Sequence, residues 1–304
     1  MSRFRHDPDT GLYLPRERRI EPSSPRLCSM GAPQQALLMR RGTTVAEAVS
    51  IYPNLLGWWS MNDNAGVSDI DDSHTGANDL KLGGAAGYNT NSYTVSGQVG
   101  AALQVNNLSA TKFNIMFPTI GNTLLDFTGD VSFTVGGWFK SATSTNPDYF
   151  QRYFGRLQGT NAQGGWGIYR PTSTSNVRAD IVLSSSSSVS TTAITITSTN
   201  WNWIVYRYNA ASDELSLRVN STTNTSTAAG GVYAGGTGAN APANFSIGRH
   251  HQRGGTLNIS GTSQDFYVDE FFASSASLTN AELDYIYNSG SGRTYAQLAA
   301  DSGH

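Results

Sequence analysis

Between Val131 and Lys140 the chain alternates with a period of two, and this rhythm restricts its fold more than any other feature. Val131, Phe133, Val135, Gly137 and Phe139 fall on one side of an extended backbone; Ser132, Thr134, Gly136, Trp138 and Lys140 fall on the other. Successive side chains of a strand point to opposite faces, so the pattern is that of a half-buried strand. Leu215, Leu217 and Val219 repeat it against Glu214, Ser216, Arg218 and Asn220. Residues 203–208 precede this second strand across 209–213 (NAASD), whose turn chemistry makes the pair a hairpin. Residues 193–197, 245–247 and 266–272 read as further strands.

Composition agrees with an all-β chain. Only 14 % of the 304 residues are charged, and 32 are Gly. Many short strands joined by polar Gly/Ser/Asn turns argue for a two-sheet antiparallel sandwich or jelly roll. Residues 184–188 and 220–227 are polar, low in complexity, and read as solvated loops. Cys28, the single cysteine, excludes an internal disulfide and offers no zinc spacing. One helix is signalled near the end: Thr279 as N-cap, Glu282 completing a capping box, and Leu278 with Leu283 as a staple. Leu283, Ile286 and Tyr287 would form its buried stripe, and Gly290 would close it.

The N-terminal segment of the chain is different. Residues 1–32 carry Pro8, Pro15, Pro22 and Pro25, which disfavour long helix and regular ladders. Arg3, Arg5, Arg16, Arg18 and Arg19 lie among Phe4, Leu12, Tyr13 and Ile20, which together suit an extended docking arm. Residues 1–50 hold eight Arg against five acids, whereas the remainder holds 12 basic and 17 acidic residues. Arm and body of opposite sign favour contact between copies, so a homo-oligomer is expected, and the excess is too small to imply nucleic acid. Residues 33–53 read as a helical connector, with a helix over 33–41 and a second after the Thr44/Glu47 capping box. Residues 54–304 are the sandwich. No apolar stretch is long enough to span a membrane, and the N-terminus lacks the apolar core of a signal peptide.

From Leu56 onward the order of elements resembles the laminin G-like, concanavalin A-like lectin jelly-roll family. The carriers are residues 56–63 (LGWWSMND), 97–103 (GQVGAAL), 130–140 (DVSFTVGGWFK), 165–169 (GWGIY), the strand ending at Val219-Asn220, 246–249 (SIGR), 268–271 (VDEF) and the capped helix. The likeness covers about residues 54–290 and speaks for fold, since this fold hosts lectins, adhesion modules and hydrolases alike.

Several groups invite functional readings. Some relatives cleave glucans with two glutamates on one strand, and a retaining mechanism needs carboxyls ~5–5.5 Å apart. The six glutamates (17, 21, 47, 214, 270 and 282) form no such strand pair. Strict alternation would send Asp269 with Phe271 to one face and Glu270 with Val268 and Phe272 to the other, where the two acids cannot cooperate. Asp63, Asp69, Asp71, Asp72 and Asp79 crowd one loop; no cofactor is required, but Asp69, Asp71 and Asp72 could ligate calcium or serve as ordinary turn acids. Tyr149, Tyr153, Trp166 and Tyr169 could stack on sugar rings, although the family position of Trp166 also fits a residue packed between layers. His74, His250 and His251 lack metal-binding spacing.

A lectin-like sandwich, no export signal and a basic arm together describe a virion protein, either a head-decoration or a tail-fibre subunit of a bacteriophage. Such a chain would fold in the host cytoplasm, dock through its arm onto other virion proteins or copies of itself, and display the sandwich at the virion surface toward host glycans. A free carbohydrate-binding lectin is the alternative reading, and a glycoside hydrolase the third.

Overall fold

The computed structural model describes residues 4–6, 13–15, 46–62, 69–84, 95–105, 112–116, 123–141, 151–156, 163–171, 174–197, 199–237, 245–248 and 266–304. The chain divides into two compact units, Met1–Arg41 and Gly42–His304. Within the first, Phe4–His6 and Tyr13–Pro15 pair antiparallel, so a short ladder forms despite the prolines. Pro15 sits at the end of its strand, where a missing N–H costs least. The expected helix over 33–41 lies outside the described residues, and residues 46–51 are helical.

The second unit is a two-sheet antiparallel sandwich. Among the described residues the front sheet runs, in spatial order, Thr222–Thr227, Glu214–Val219, Asn202–Asn209, Phe133–Ser141, Phe266–Ser274, Ala101–Val105 and Val95–Ser96, with Leu55–Trp59 also pairing Phe266–Ser274. The back sheet runs Ser187–Ser190, Asn176–Ser184, Trp166–Arg170, Gln151–Gly155, Ser246–Gly248, Lys112–Met116, Leu80–Gly84 and Asp69–Ile70, with Ile194–Thr195 pairing Asn176–Ser184. The hairpin expected at 203–219 is present, turned by Asp213 in the left-handed region.

The alternation in Phe133–Ser141 serves two cores. Phe133, Val135 and Phe139 enter the layer between the sheets with Trp166, Ile168, Tyr206 and Phe271. Phe133 stacks on Tyr206 at 5.4 Å, and Trp166 lies 4.9 Å from each of those rings. Trp138 points the other way, into an outer core with Trp58, Trp203, Val205 and Phe272. The helices cover this outer face, contributing Ile51, Leu283, Ile286 and Leu298.

Helix Asn280–Tyr287 starts as expected, with the complete Thr279/Glu282 capping box. Its end differs. Asn288 adopts the left-handed conformation two residues before Gly290 and caps the helix itself, a role Asn tolerates well. A further helix, Tyr295–Ser302, has its own capping box from Thr294 and Gln297.

Both expected polar loops contain strands. Residues 184–190 make a hairpin, and Thr222–Thr227 pairs residue for residue with Glu214–Val219. No apolar periodicity marks Thr222–Thr227, because its inward side chains are hydrogen-bonding groups. Asn224 Nδ2 donates to the Thr192 carbonyl at 3.1 Å and Ser226 Oγ to the Ser190 carbonyl at 3.0 Å, fastening the edges of the two sheets.

Phe139 is 1 % exposed and meets Tyr153, Phe154 and Phe271. Phe139→Ala is expected to cost ~3–5 kcal/mol of unfolding free energy in a denaturant titration. A loss below about 1 kcal/mol would contradict its central place in the core.

Candidate functional site

Three of the four aromatic residues considered for sugar stacking are core residues. Trp166 is fully buried between the sheets, and Tyr153 is 2 % exposed, with its phenol pushed up to about 12 chiefly by burial. Tyr169 is 8 % exposed and its hydroxyl accepts a hydrogen bond from Arg178 Nε at 2.7 Å. None offers an open ring face, so the stacking expectation is not met by these side chains. Tyr149 lies outside the described residues.

The acidic loop is organised around Asp72. Its Oδ1 accepts the backbone N–H groups of Trp58 (3.1 Å) and His74 (3.0 Å), and its Oδ2 accepts the Thr75 hydroxyl at 2.6 Å. Asp79 Oδ1 in turn accepts the Asp72 N–H at 3.0 Å. Asp72 is thereby a turn-building carboxylate that anchors the loop to the Leu55–Trp59 strand. Asp71 is exposed, the side chain of Asp69 is not among those described, and no group of three metal-ligating side chains converges among the described residues.

The acids at 269 and 270 depart from strict alternation. Asp269 pairs with Trp138 and Phe272 with Gly136, so Glu270 and Phe271 together oppose the single residue Gly137. This is a β-bulge, and Glu270 carries its left-handed φ of 44°. Gly137 allows the approach: a Cβ there would lie 3.0 Å from the Phe271 Cα. The extra residue returns Phe271 to the inner core and leaves Asp269 and Glu270 both on the outer face, which corrects the expectation of opposite faces. Glu270 accepts a hydrogen bond from Trp58 Nε1, and Asp269 Oδ2 accepts the Val99 N–H at 2.8 Å. Burial pushes Asp269 up to about 7 and Glu270 up to about 8, and the neighbouring Asp269 raises Glu270 further. Both sit under the helical cover, 0 % and 3 % exposed, where no glycosidic bond reaches them.

One polar–aromatic patch on the outer face remains half-buried rather than covered. Tyr267 points outward because Phe266 and Val268 on either side enter the core. In register beside it lie Lys140 on one neighbouring strand and Gln104 on the other. Trp201, just ahead of strand Asn202–Asn209, meets Tyr267 edge-on at 6.4 Å. The Lys140 ammonium lies 5.4 Å from the Tyr267 ring centre and 5.9 Å from that of Trp201. Nothing in the sequence alone marks these residues as a group. Their signal was an aromatic and a lysine on the polar side of two strands, but only the register brings them together.

Of the proposed docking residues, Phe4, Arg5 and Tyr13 lie in the N-terminal ladder, described for its backbone alone. Arg3, Leu12, Arg16, Arg18, Arg19 and Ile20 fall outside the described residues, as do Cys28, His250 and His251.

No family model and no curated protein matches the sequence. Solved structures do match. The chain is similar to the botulinum neurotoxin serotype D binding domain, with a TM-score of 0.53 at 13 % identity over 79 % of this chain and 52 % of that one. The binding domain of botulinum neurotoxin DC, in complex with rat synaptotagmin II, gives a TM-score of 0.53 at 8 % identity over 79 % and 52 %. A structure of botulinum neurotoxin type C, whose cell entry depends upon interaction with two ganglioside molecules, gives 0.51 at 8 % over 79 % and 52 %. The chain shares their sandwich fold. It spans about half the length of each, and at this identity the likeness is one of fold alone.

Asp72→Ala should leave the buried Trp58 amide and the Thr75 donors without their acceptor. The expected cost is ~2–3 kcal/mol in chemical denaturation. A change within about 0.5 kcal/mol would remove Asp72 from this anchoring role.

Proposed function

We propose that this chain is a non-enzymatic glycan-binding display module: a lectin-like sandwich that presents a sugar-binding patch and is attached to a larger assembly through its N-terminal segment. The observation that carries the reading is the Trp201–Tyr267–Lys140 patch. Aromatic rings with one accessible side can pack against the C–H face of a pyranose, while a polar end remains wet. Lys140 and Gln104 supply donors at the rim, and a few convergent polar groups are what orient a ligand on an apolar platform. The fold supports the same reading, because it is shared with binding domains, one of them from a toxin that depends on gangliosides for cell entry. Hydrolysis lacks a comparable basis, since the adjacent acids at 269 and 270 are buried.

The attachment is the part that concerns residues 1–32. They belong to a separate compact unit, Met1–Arg41, and carry the arginines and apolar anchors suited to a partner's acidic and apolar surface. A virion surface, of head-decoration or tail-fibre type, is the assembly we propose, with host-cell glycans as the ligand of the displayed sandwich and other virion proteins or further copies as the docking partners. Calcium enters only as an addition at the loop of Asp69, Asp71 and Asp72. A rise in Tm when millimolar Ca²⁺ is added to chelator-treated protein is its signature.

A glycan array probed with the full chain tests the binding half. Trp201→Ala and Tyr267→Ala should each weaken the strongest array signal by about tenfold or more, roughly 1.4 kcal/mol, with the fold retained by circular dichroism. Full binding in both variants would sink the patch, and no glycan bound by the wild type would sink the reading. Deleting residues 1–32 should leave the sandwich Tm in place but abolish incorporation into the particle or oligomer. A large fall in Tm with unchanged assembly of the folded fraction would refute docking through the arm.

A further inference from the structure

The helical cover is tied to the front sheet through the two carboxyl groups at the bulge. Asp269 holds the 97–100 turn: its Oδ2 accepts the Val99 N–H, and a Cβ on Gly97 would come within 2.6 Å of the same oxygen. That turn reaches on to the helical layer, where Gln98 Nε2 donates to the Gly290 carbonyl at 2.6 Å and Val99 lies against Gly292. Glu270 holds Trp58, which stacks on Phe272 at 5.5 Å and lies 6.5 Å from Tyr295 of the last helix. The backbone N–H groups of Gln98 and Glu270 also lie toward the Asp269 carboxyl, whose Oδ1 is buried.

Among the described residues no cation pairs with these groups. The ion pairs among the described residues are Arg156–Asp126, Arg207–Glu214, Arg218–Asp284 and Arg293–Asp301. On the elements around the pair, Lys140 is directed at Trp201 and Tyr267, and Arg218 at Trp203 and Tyr287. The Leu55–Trp59 strand brings the Asp72 carboxyl to the Trp58 amide, and the last helix brings the Tyr295 phenol, which donates toward the His74 carbonyl. The 97–100 turn contributes no charged side chain. Two adjacent buried carboxylates without a counter-ion are costly, whereas two carboxylic acids are tolerated.

We propose that Asp269 and Glu270 form a proton-operated latch: protonated, they stay buried beside the 97–100 turn and Trp58 beneath the helical cover. Once they lose their protons, the cost of burying two charges outweighs their hydrogen bonds, draws in water and loosens both. The direction follows from linkage. Burial raises both groups far above the ordinary carboxylate range, to about 7 and about 8. Their contribution to stability is therefore fully present below the unfolded carboxylate range and is lost as pH rises through these values. The latch is tight in mild acid and loosens on the alkaline side of neutrality. Two other shifted groups bear on the pH dependence. Asp126, raised mainly by burial, acts in the same sense, and His74, lowered mainly by burial, acts in the opposite one.

The test uses the full chain in thermal denaturation from pH 5.5 to 9, beside Asp269→Asn, Glu270→Gln and the double variant. Asn and Gln keep the hydrogen-bond acceptors for Val99 and Trp58 but cannot ionise. Wild-type Tm should fall by about 5 °C or more between pH 6 and 9, and the double variant should lose most of that fall. Val99 and residues 280–287, followed by amide exchange corrected for intrinsic rates, should lose protection in the wild type over the same range. A wild-type Tm that is flat from pH 6 to 9, or an equal fall in the double variant, overturns the latch. Should the double variant fail to fold, ¹³C carboxyl shifts of the wild type decide. Titration midpoints above pH 6 for both acids support the proposal, and midpoints below 5 refute it.

Discussion

One inserted residue in strand Phe266–Ser274 sets the outer face of the molecule. Without the bulge, Phe271 would leave the inner core and Glu270 would point between the sheets. With it, Phe271 stays near Phe139, Phe154 and Phe245, and both acids go to the side of Trp58 and Trp138. The left-handed φ of Glu270 is a strained conformation for a residue with a side chain and persists only where surrounding contacts determine it. Those contacts are the Trp58 indole on one side and the close approach to Gly137 on the other. The burial of two acids follows from the same insertion.

The front sheet consequently has two packed faces, which is unusual for an antiparallel sheet with a polar alternation in its sequence. The outer core sets tryptophans and tyrosines among its aliphatic groups. Trp138 and Trp203 both pack against Tyr287, at 5.6 and 5.4 Å, and the Arg218 guanidinium spreads over Trp203 and Tyr287 while pairing with Asp284. Thr134 secures the chain entering the helix: its Oγ1 donates to the Ala276 carbonyl at 2.8 Å and accepts the Leu278 N–H at 2.9 Å. A polar residue on the outward side of the central strand is thus used to fasten the cover and is fully buried.

Features set by neighbours in sequence were legible from the sequence, and features set by register were not. The strand at 133–141, the hairpin at 202–219 and the Thr279 cap each depend on residues within a few positions of one another. The bulge was invisible because alternation assumes a regular backbone, and nothing in Val-Asp-Glu-Phe announces a positive φ. Strand Thr222–Thr227 escaped because hydrophobic periodicity is silent where the inward groups are Asn and Ser. Helix Tyr295–Ser302 did carry a Thr-x-x-Gln signature, but its Ala-rich segment offers one large buried residue, Leu298, and hence little amphipathic pattern. Trp166 illustrates the converse. Its chemistry suited sugar stacking, but its place between Gly165 and Gly167 in a back-sheet strand puts it in the core.

The position of the half-buried patch follows from how far the cover extends. Along strand Phe266–Ser274 the outward residues are Tyr267, then Asp269 and Glu270, then Phe272; along Phe133–Ser141 they are Lys140, Trp138 and Gly136. The helices close over the far end, so Phe272 and Trp138 are buried at 0 and 2 % exposure. The near end, with Tyr267, Lys140, Gln104 and Trp201, is only half-buried. Aromatic side chains there complete the outer core with one side and face water with the other. Tyr267, Lys140 and Gln104 sit on adjoining ladder positions, which hold them more rigidly than loops would, and Trp201 stands just ahead of its strand beside them. A patch built in this way requires the cover to stop where it does, and the sequence meets that requirement by placing Lys140 and Tyr267 two residues beyond Trp138 and Asp269.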